Sequence, residues 1–274
     1  MKKVLLLLAF TLLTLPVLSQ EKQKQQILAE AYLLYNSEKA SWNGTDIFLQ
    51  KFPNKRNSMG GYFSYSEDKT HTCVFFDRAP EPKILATIKF DNSFLPETAI
   101  IDTIARSFTT KENDLYVIRK KALEVAGNDN FFKMYENTSL NMIPIIVKNE
   151  KKVYMLTGPS KSGVVIFGND YLLEFDKKNN IKSKKALHKN IISIPYTNNP
   201  EETGAMHSHT KETGDLITAT DICTLLLYAP YTQWETYYVM SDSNVSIWDC
   251  HKEILLVLTR EAWEKMAGDT KKKD

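Results

Sequence analysis

The sequence predicts a mixed α+β fold, with a mostly antiparallel sheet and flanking helices. Two segments, residues 23–36 and 109–126, carry apolar side chains at helical spacing. Between and after them, short aromatic and β-branched runs alternate with charged or Pro- and Gly-containing turns, which is typical of antiparallel strands. We therefore expect helices packed beside meandering strands.

The first part of the chain begins with the predicted helix at residues 23–36. Three strands of an antiparallel meander are predicted at residues 62–65, 71–76 and 84–90. The second helix starts at Thr109, which forms a capping box with Glu112, and Gly127 follows as a stop signal. A polar stretch at residues 137–141 then suggests a boundary between a domain of unknown type, residues 20–140, and a second domain, residues 141–274.

The second part is richer in strands. Two hairpins are predicted, one joining residues 143–147 to 153–156 and the other joining 164–167 to 171–175. Further strands are expected at residues 191–196 and 205–209, followed by a helix at 221–228 and a hairpin of 235–240 with 245–248. Residues 253–266 form either a last helix or a strand that passes into one.

The N-terminus is typical of a bacterial secretory signal peptide. Lys2 and Lys3 precede an apolar run at residues 4–17, which is shorter than the ~20 residues needed to cross a bilayer. We expect cleavage before Gln20, no membrane insertion of the remaining chain, and a periplasmic or extracellular location.

Charge gives no reason to expect a nucleic-acid partner. The signal peptide holds two of the 35 basic residues, which leaves 33 basic against 33 acidic residues in the mature chain. A chain of zero formal charge carries no general attraction for phosphates, so we expect no nucleic acid among its partners.

The chain contains three cysteines, Cys73, Cys223 and Cys250. In an exported protein an odd count leaves at least one thiol free. The spacing allows either a Cys223–Cys250 bridge or unpaired, buried thiols.

The residues with the clearest chemistry are two histidines, His207 and His209, and the carboxylate of Asp221. On a strand, residues two apart point to the same face with an axial rise of roughly 6.6 Å, so both imidazoles can reach one metal ion. Asp221 precedes an apolar helix and can supply an oxygen ligand. Three protein ligands with one open position are the arrangement of a catalytic zinc site.

This part of the chain resembles the JAMM (MPN-domain) metalloproteases over roughly residues 140–250. His207-Ser208-His209 matches the H-x-H of that family, and Thr218-Ala219-Thr220-Asp221 stands where the family has S-x-x-D at the start of a helix. The resemblance implies a zinc ion held by His207, His209 and Asp221, with a water as fourth ligand. It also implies that Thr218 helps to hold the oxyanion during hydrolysis of an amide or isopeptide bond.

The sequence departs from the family pattern in three places. Thr210 follows the second histidine where the family usually has proline, and the loop to the helix is about one residue longer. The general-base glutamate is absent from its expected context at residues 159–168. The acidic alternatives are Glu174, in the following strand, and Glu201 and Glu202, in the loop before His207.

Simpler interpretations stand beside the metal site. Thr218 and Asp221 also form a plain capping box, which needs no metal. Histidines two apart could be half-buried polar residues, and a cupin-like site would use Glu212. The remaining histidines are expected to be surface or core residues: His71, His188 and His251.

Two functional hypotheses follow. The first is a secreted zinc peptidase or isopeptidase acting on a peptide or protein. The second is a non-catalytic exported protein on the same scaffold, which binds a partner or a component of the cell envelope.

Overall fold

A computed structural model describes residues 2–197 and 199–270 of the chain; the side chains of residues 2–18, Ala267, Asp269 and Thr270 are outside the description. The signal peptide predicted at residues 1–19 lies almost wholly outside the described side chains and stays a prediction. The described helices are α1 (Lys2–Lys51), α2 (Thr110–Asn128), α3 (Ala219–Tyr228) and α4 (Arg260–Thr270). Among the described residues, no helix combines the length and the hydropathy that spanning a bilayer requires.

The strands run along the chain in two groups, before and after α2. The first group is β1 (Met59–Glu67), β2 (Thr70–Asp77), β3 (Ile84–Phe90) and β4 (Ile100–Asp102). The second group is β5 (Thr138–Val147), β6 (Glu150–Pro159), β7 (Val164–Gly168), β8 (Tyr171–Phe175), β9 (Ile181–Ala186), β10 (Ile191–Pro195), β11 (Gly204–Ser208), β12 (Thr236–Met240), β13 (Asn244–Asp249) and β14 (Ile254–Thr259).

These strands form four sheets, and the predicted α+β class is confirmed. The strand orders are β1-β2-β3-β4, β5-β6-β8-β9, β7-β10 and β11-β12-β13-β14. Within the described sheets every pairing is antiparallel except that of β11 with β12, which run parallel. The predicted meander and the hairpins β5-β6 and β12-β13 are present.

The predicted hairpin of residues 164–167 with 171–175 is wrong. β7 pairs with β10, and β8 pairs with β6 and β9. The chain leaves β7 through Gly168, whose φ of +72° lies in the left-handed region. A Cβ on this glycine would lie 2.2 Å from the carbonyl oxygen of Asn190, so the close approach of the two segments requires glycine.

Several other elements differ from the prediction in extent. The first helix is far longer than residues 23–36, because Ala40, Ile47 and Phe48 continue its buried face against the first sheet. β9 was not predicted; its side chains are mostly exposed and give no apolar pattern. Residues 253–266 are a strand followed by a helix, the second of the two alternatives.

The core that supports the site joins α1, α3 and the β11–β14 sheet. Its buried members include Ala31, Leu34, Ile222, Leu225, Tyr237 and Trp248. The predicted boundary at residues 137–141 falls at the start of β5, and the division into two domains stays a prediction.

All three cysteines are free thiols. Cys73 and Cys223 are buried and Cys250 is half-buried, so the alternative of unpaired thiols holds and the Cys223–Cys250 bridge is not formed.

Candidate metal centre

Four side chains converge at one point inside the protein: His188, His207, His209 and Asp221. One ligand atom from each lies within 4.8 Å of all the others. Their side chains are between 0 and 4% exposed. The three residues that the sequence singled out as ligands are thus brought together, and a fourth joins them.

Strand β11 places the two histidines of the motif. His207 lies opposite Val239 of β12, within the parallel ladder. His209 follows the end of the strand, but its N–H donates to the carbonyl oxygen of Met240 at 2.8 Å and extends the ladder by one residue. Both rings therefore stay on the same face, with centroids 5.0 Å apart, as the period of two predicts.

The first turn of α3 places Asp221, whose two carboxylate oxygens have different tasks. Oδ2 accepts hydrogen bonds from the backbone N–H and the hydroxyl of Thr218, at 2.9 and 2.7 Å. Oδ1 has no hydrogen-bond partner and faces Nε2 of His188 at 3.4 Å and Nε2 of His207 at 3.6 Å. The predicted capping box is present, and it leaves one oxygen free for a ligand role.

His188 was expected to be an ordinary surface or core histidine, and that expectation missed its place in this group. It lies in the connection between β9 and β10, and its Nε2 is 3.1 Å from Nε2 of His209. No spacing rule relates it to the motif, because it comes from an irregular segment. His71, which is buried and bonded to Ser66 and Asn92, fits the expectation of a core histidine, and the exposed His251 fits that of a surface residue.

In His188 and His207, Nδ1 contacts a further side chain outside the group. Nδ1 of His188 lies 2.8 and 3.0 Å from the two carboxylate oxygens of Asp170. Nδ1 of His207 lies 2.9 Å from the hydroxyl of Tyr237. Such outer contacts fix the ring orientation and the tautomer of metal-binding histidines.

The charges of the group are strongly coupled. Burial lowers the pKa of His188, but the facing carboxylates of Asp221 and Asp170 outweigh it and raise the pKa to about 11. Burial also lowers the pKa of His207, to about 4, against the opposing effect of Asp221. Burial raises the pKa of Asp221, yet the facing His188 and His207 hold it well below its usual value. In the metal-free group the protonated His188 is therefore the positive partner of the ionised Asp221.

Two observations test whether the residues fit a metal ion. Nε2 of His207 and Oδ1 of Asp221 are buried without a hydrogen-bond partner, as is Nδ1 of His209. Each such atom costs about 1–3 kcal/mol unless something satisfies it, and a cation at the centre would satisfy the first two. Three separations between ligand atoms are 3.1, 3.4 and 3.6 Å, near the ~3.3 Å that bonds of 2.0–2.1 Å give around tetrahedral zinc, and all pairs lie within 4.8 Å. The group therefore could hold a metal ion.

Access to the group is very limited. The cavity beside Asp170, Thr220 and Asp221 has a volume of about 10 Å³, space for a single water molecule. A larger cavity of about 230 Å³ is lined by Thr218 and Thr220 together with Glu30 of α1, but by none of the four converging residues. With at most 4% of each side chain exposed, the described residues largely cover the centre.

None of the alternative glutamates belongs to the described group. Glu174 of β8 accepts a hydrogen bond from Ser183, and Glu202 accepts one from Thr197. Glu201 and Glu212 are exposed. The carboxylate that the structure does place beside the group is Asp170.

Comparisons of the chain with protein-family models, with curated proteins and with solved structures give no match. The JAMM resemblance rests on the motif residues alone.

Proposed function

We propose that this is an exported protein of JAMM-like type that binds one zinc ion through His207, His209 and Asp221, and that the ion is not used for hydrolysis. The proposal of export comes from the predicted signal peptide, and that of a JAMM-like scaffold from the motif. The metal-binding part is supported by the convergence of buried ligand atoms. Imidazole and carboxylate donors suit zinc.

The observation that carries the non-catalytic role is the burial of the ligands. A hydrolytic zinc must present an open position to a substrate carbonyl and a water. Here the ligand side chains are at most 4% exposed, and the adjoining cavity holds no more than one water. The partner of such a protein is a peptide, a protein or a cell-envelope component that binds elsewhere on its surface.

Each residue of the proposed zinc site has its own role. His207 and His209 bring two neutral nitrogens from β11, and Asp221 brings one anionic oxygen from α3. Thr218 holds the second oxygen of Asp221 and so fixes the direction of the first. A zinc ion bound there would supply a cross-link between strand and helix.

A zinc peptidase or isopeptidase is the second candidate, and one observation favours it. His188 and Asp170 form a hydrogen-bonded pair in which a carboxylate orients a histidine. A cation bound beside His188 would favour its neutral form, which could then act as the general base in place of the missing glutamate. The hydroxyl of Thr218 would then help to hold the oxyanion that forms during hydrolysis, as the resemblance implies. This candidate needs the site to open, since the present conformation admits no substrate.

Elemental analysis of the purified chain tests the proposal, beside His209→Ala and, as a matched control, the exposed His251→Ala. We expect near-stoichiometric zinc in the wild type and in the control, and its loss in His209→Ala. The same samples are assayed on fluorogenic peptides and isopeptide-linked substrates, with no hydrolysis expected.

Two results would overturn it. Absence of zinc from the wild type, after growth in zinc-supplemented medium, refutes metal binding. Zinc-dependent hydrolysis that disappears in His209→Ala refutes the non-catalytic role and favours the second candidate.

A further inference from the structure

We infer that His188 is a fourth protein ligand of the ion, oriented by Asp170, so that the coordination is closed without water. The inference rests on the proposed metal binding and goes beyond it, since the motif predicts three protein ligands and an open position. It concerns a residue that is remote from the motif in sequence.

The tautomer of His188 suits a metal ligand. Its Nδ1 faces both oxygens of Asp170, at 2.8 and 3.0 Å, and an ionised carboxylate only accepts hydrogen bonds. Nδ1 must therefore carry a hydrogen, and once an ion displaces the proton from Nε2, the lone pair of that nitrogen points into the group. Metal-binding histidines have this arrangement, with the outer N–H donated to a carboxylate.

The distances from His188 to the other members of the group also suit a ligand. Nε2 of His188 lies 3.1 Å from Nε2 of His209 and 3.4 Å from Oδ1 of Asp221. Both separations are compatible with two ligands of one ion. A base that acts through a metal-bound water would lie a further hydrogen bond away from the other ligands, because about 2.6–3.2 Å must separate it from that water.

Asp170 holds the ring of His188 firmly in this position. The backbone N–H of His188 donates to Oδ1 of Asp170 at 3.0 Å, so one carboxylate accepts hydrogen bonds from both the main chain and the ring of His188. The hydroxyl of Thr220 on α3 donates to the other oxygen, Oδ2. Asp170 thereby ties the His188 segment to the helix that carries Asp221.

Backbone hydrogen bonds also join the segment of Asp170 to the segment of His188. The N–H of Leu187 donates to the carbonyl of Asp170 at 2.9 Å, and that of Asn169 donates to the carbonyl of Asn190 at 3.2 Å. Gly168 permits this approach through its positive φ. The segments before β8 and before β10 are therefore fastened together around His188.

A site with four protein ligands and no open position is structural. It would join three parts of the chain that the sequence separates: the connection before β10, strand β11 and the first turn of α3. The ion then stabilises this half of the fold.

Cobalt(II) substitution tests the inference on the full chain. Each bound histidine gives one hyperfine-shifted, exchangeable imidazole N–H resonance, so the wild type should show three and His188→Gln two. The visible absorption of His188→Gln should also change, because water enters its coordination. Asp170→Asn should keep three resonances but bind cobalt and zinc about 10–100-fold more weakly.

The outcomes separate the two proposals. Cobalt bound with two imidazole resonances in the wild type, or an identical spectrum in His188→Gln, overturns the fourth ligand while metal binding stands. A wild type that binds no cobalt overturns both. The wild-type count and Asp170→Asn decide the matter even if His188→Gln does not fold.

Discussion

Asp221 divides its carboxylate between two partners: Oδ2 accepts two hydrogen bonds from Thr218, and Oδ1 faces the histidines without a hydrogen bond of its own. The side chain that completes the cap of α3 is therefore also the one that could bind a metal ion. The predicted capping box is confirmed and does not exclude the predicted ligand role, because a carboxylate has enough acceptor sites for both.

Thr218→Ala should weaken the helix and the site together. We expect a loss of about 1 kcal/mol in unfolding free energy in the presence of chelator, since the cap donor and acceptor are removed. Thr218→Ser keeps the hydroxyl and should lose only a small fraction of this. Urea denaturation measures both, and equal losses in the two variants would contradict the capping role.

Tyr237→Phe should lower metal affinity without exposing the core. The variant removes the hydroxyl that lies 2.9 Å from Nδ1 of His207 and leaves the ring orientation less fixed. We expect about 10–100-fold weaker binding in a chelator competition titration. Tyr238→Phe is the matched control: its side chain points to the other face of β12, against Trp263, and its affinity should stay at the wild-type level.

Gly168→Ala should destabilise the protein. The residue has a positive φ, and its added Cβ would meet the carbonyl oxygen of Asn190. We expect a loss of more than about 1 kcal/mol, with weaker metal binding as Asp170 shifts. In Gly127→Ala, at the end of α2, the new Cβ meets nothing within 4 Å and should leave stability unchanged or slightly raised.

A buried acid outside the site should make stability depend on pH. Burial raises the pKa of Glu38 from 4.5 to about 7, against the lowering effect of Arg119. Between pH 4.5 and 7 the unfolded chain ionises this group first, so the folded state loses up to about 3 kcal/mol as pH rises, and the loss is constant above pH 7.

Glu38→Gln should remove that loss. Urea unfolding from pH 4.5 to 8 is expected to show a smaller decline than in the wild type, whereas the exposed Glu81→Gln should follow the wild-type curve. A decline of the same size in Glu38→Gln would show that other groups cause it.

Chelation should lower the thermal stability of the metal-loaded protein. An ion that binds only the folded state adds about 2.7 kcal/mol when its free concentration is 100 times the dissociation constant. Differential scanning calorimetry with and without EDTA is expected to show the shift in the wild type. His209→Ala should melt at the same temperature under both conditions, and a shift of wild-type size there would point to metal bound elsewhere.

Short-range patterns in the sequence were enough to predict several elements of the structure. The capping boxes at Thr109 and Thr218 join residues three apart, and the β5-β6 hairpin closes over a short turn, so near neighbours determine them. The shared face of His207 and His209 follows from the strand period in the same way. The sequence by itself determined the α+β class, these local elements and three of the four converging side chains.

Tertiary structure alone decided the rest. His188 meets His209 across 21 residues of chain, and Asp170 meets His188 across 18, through an irregular segment that no periodic pattern describes. The pairing of β7 with β10 instead of β8 likewise depends on how two sheets pack around Gly168. Such contacts arise from the packing of distant segments, and local spacing carries no information about them.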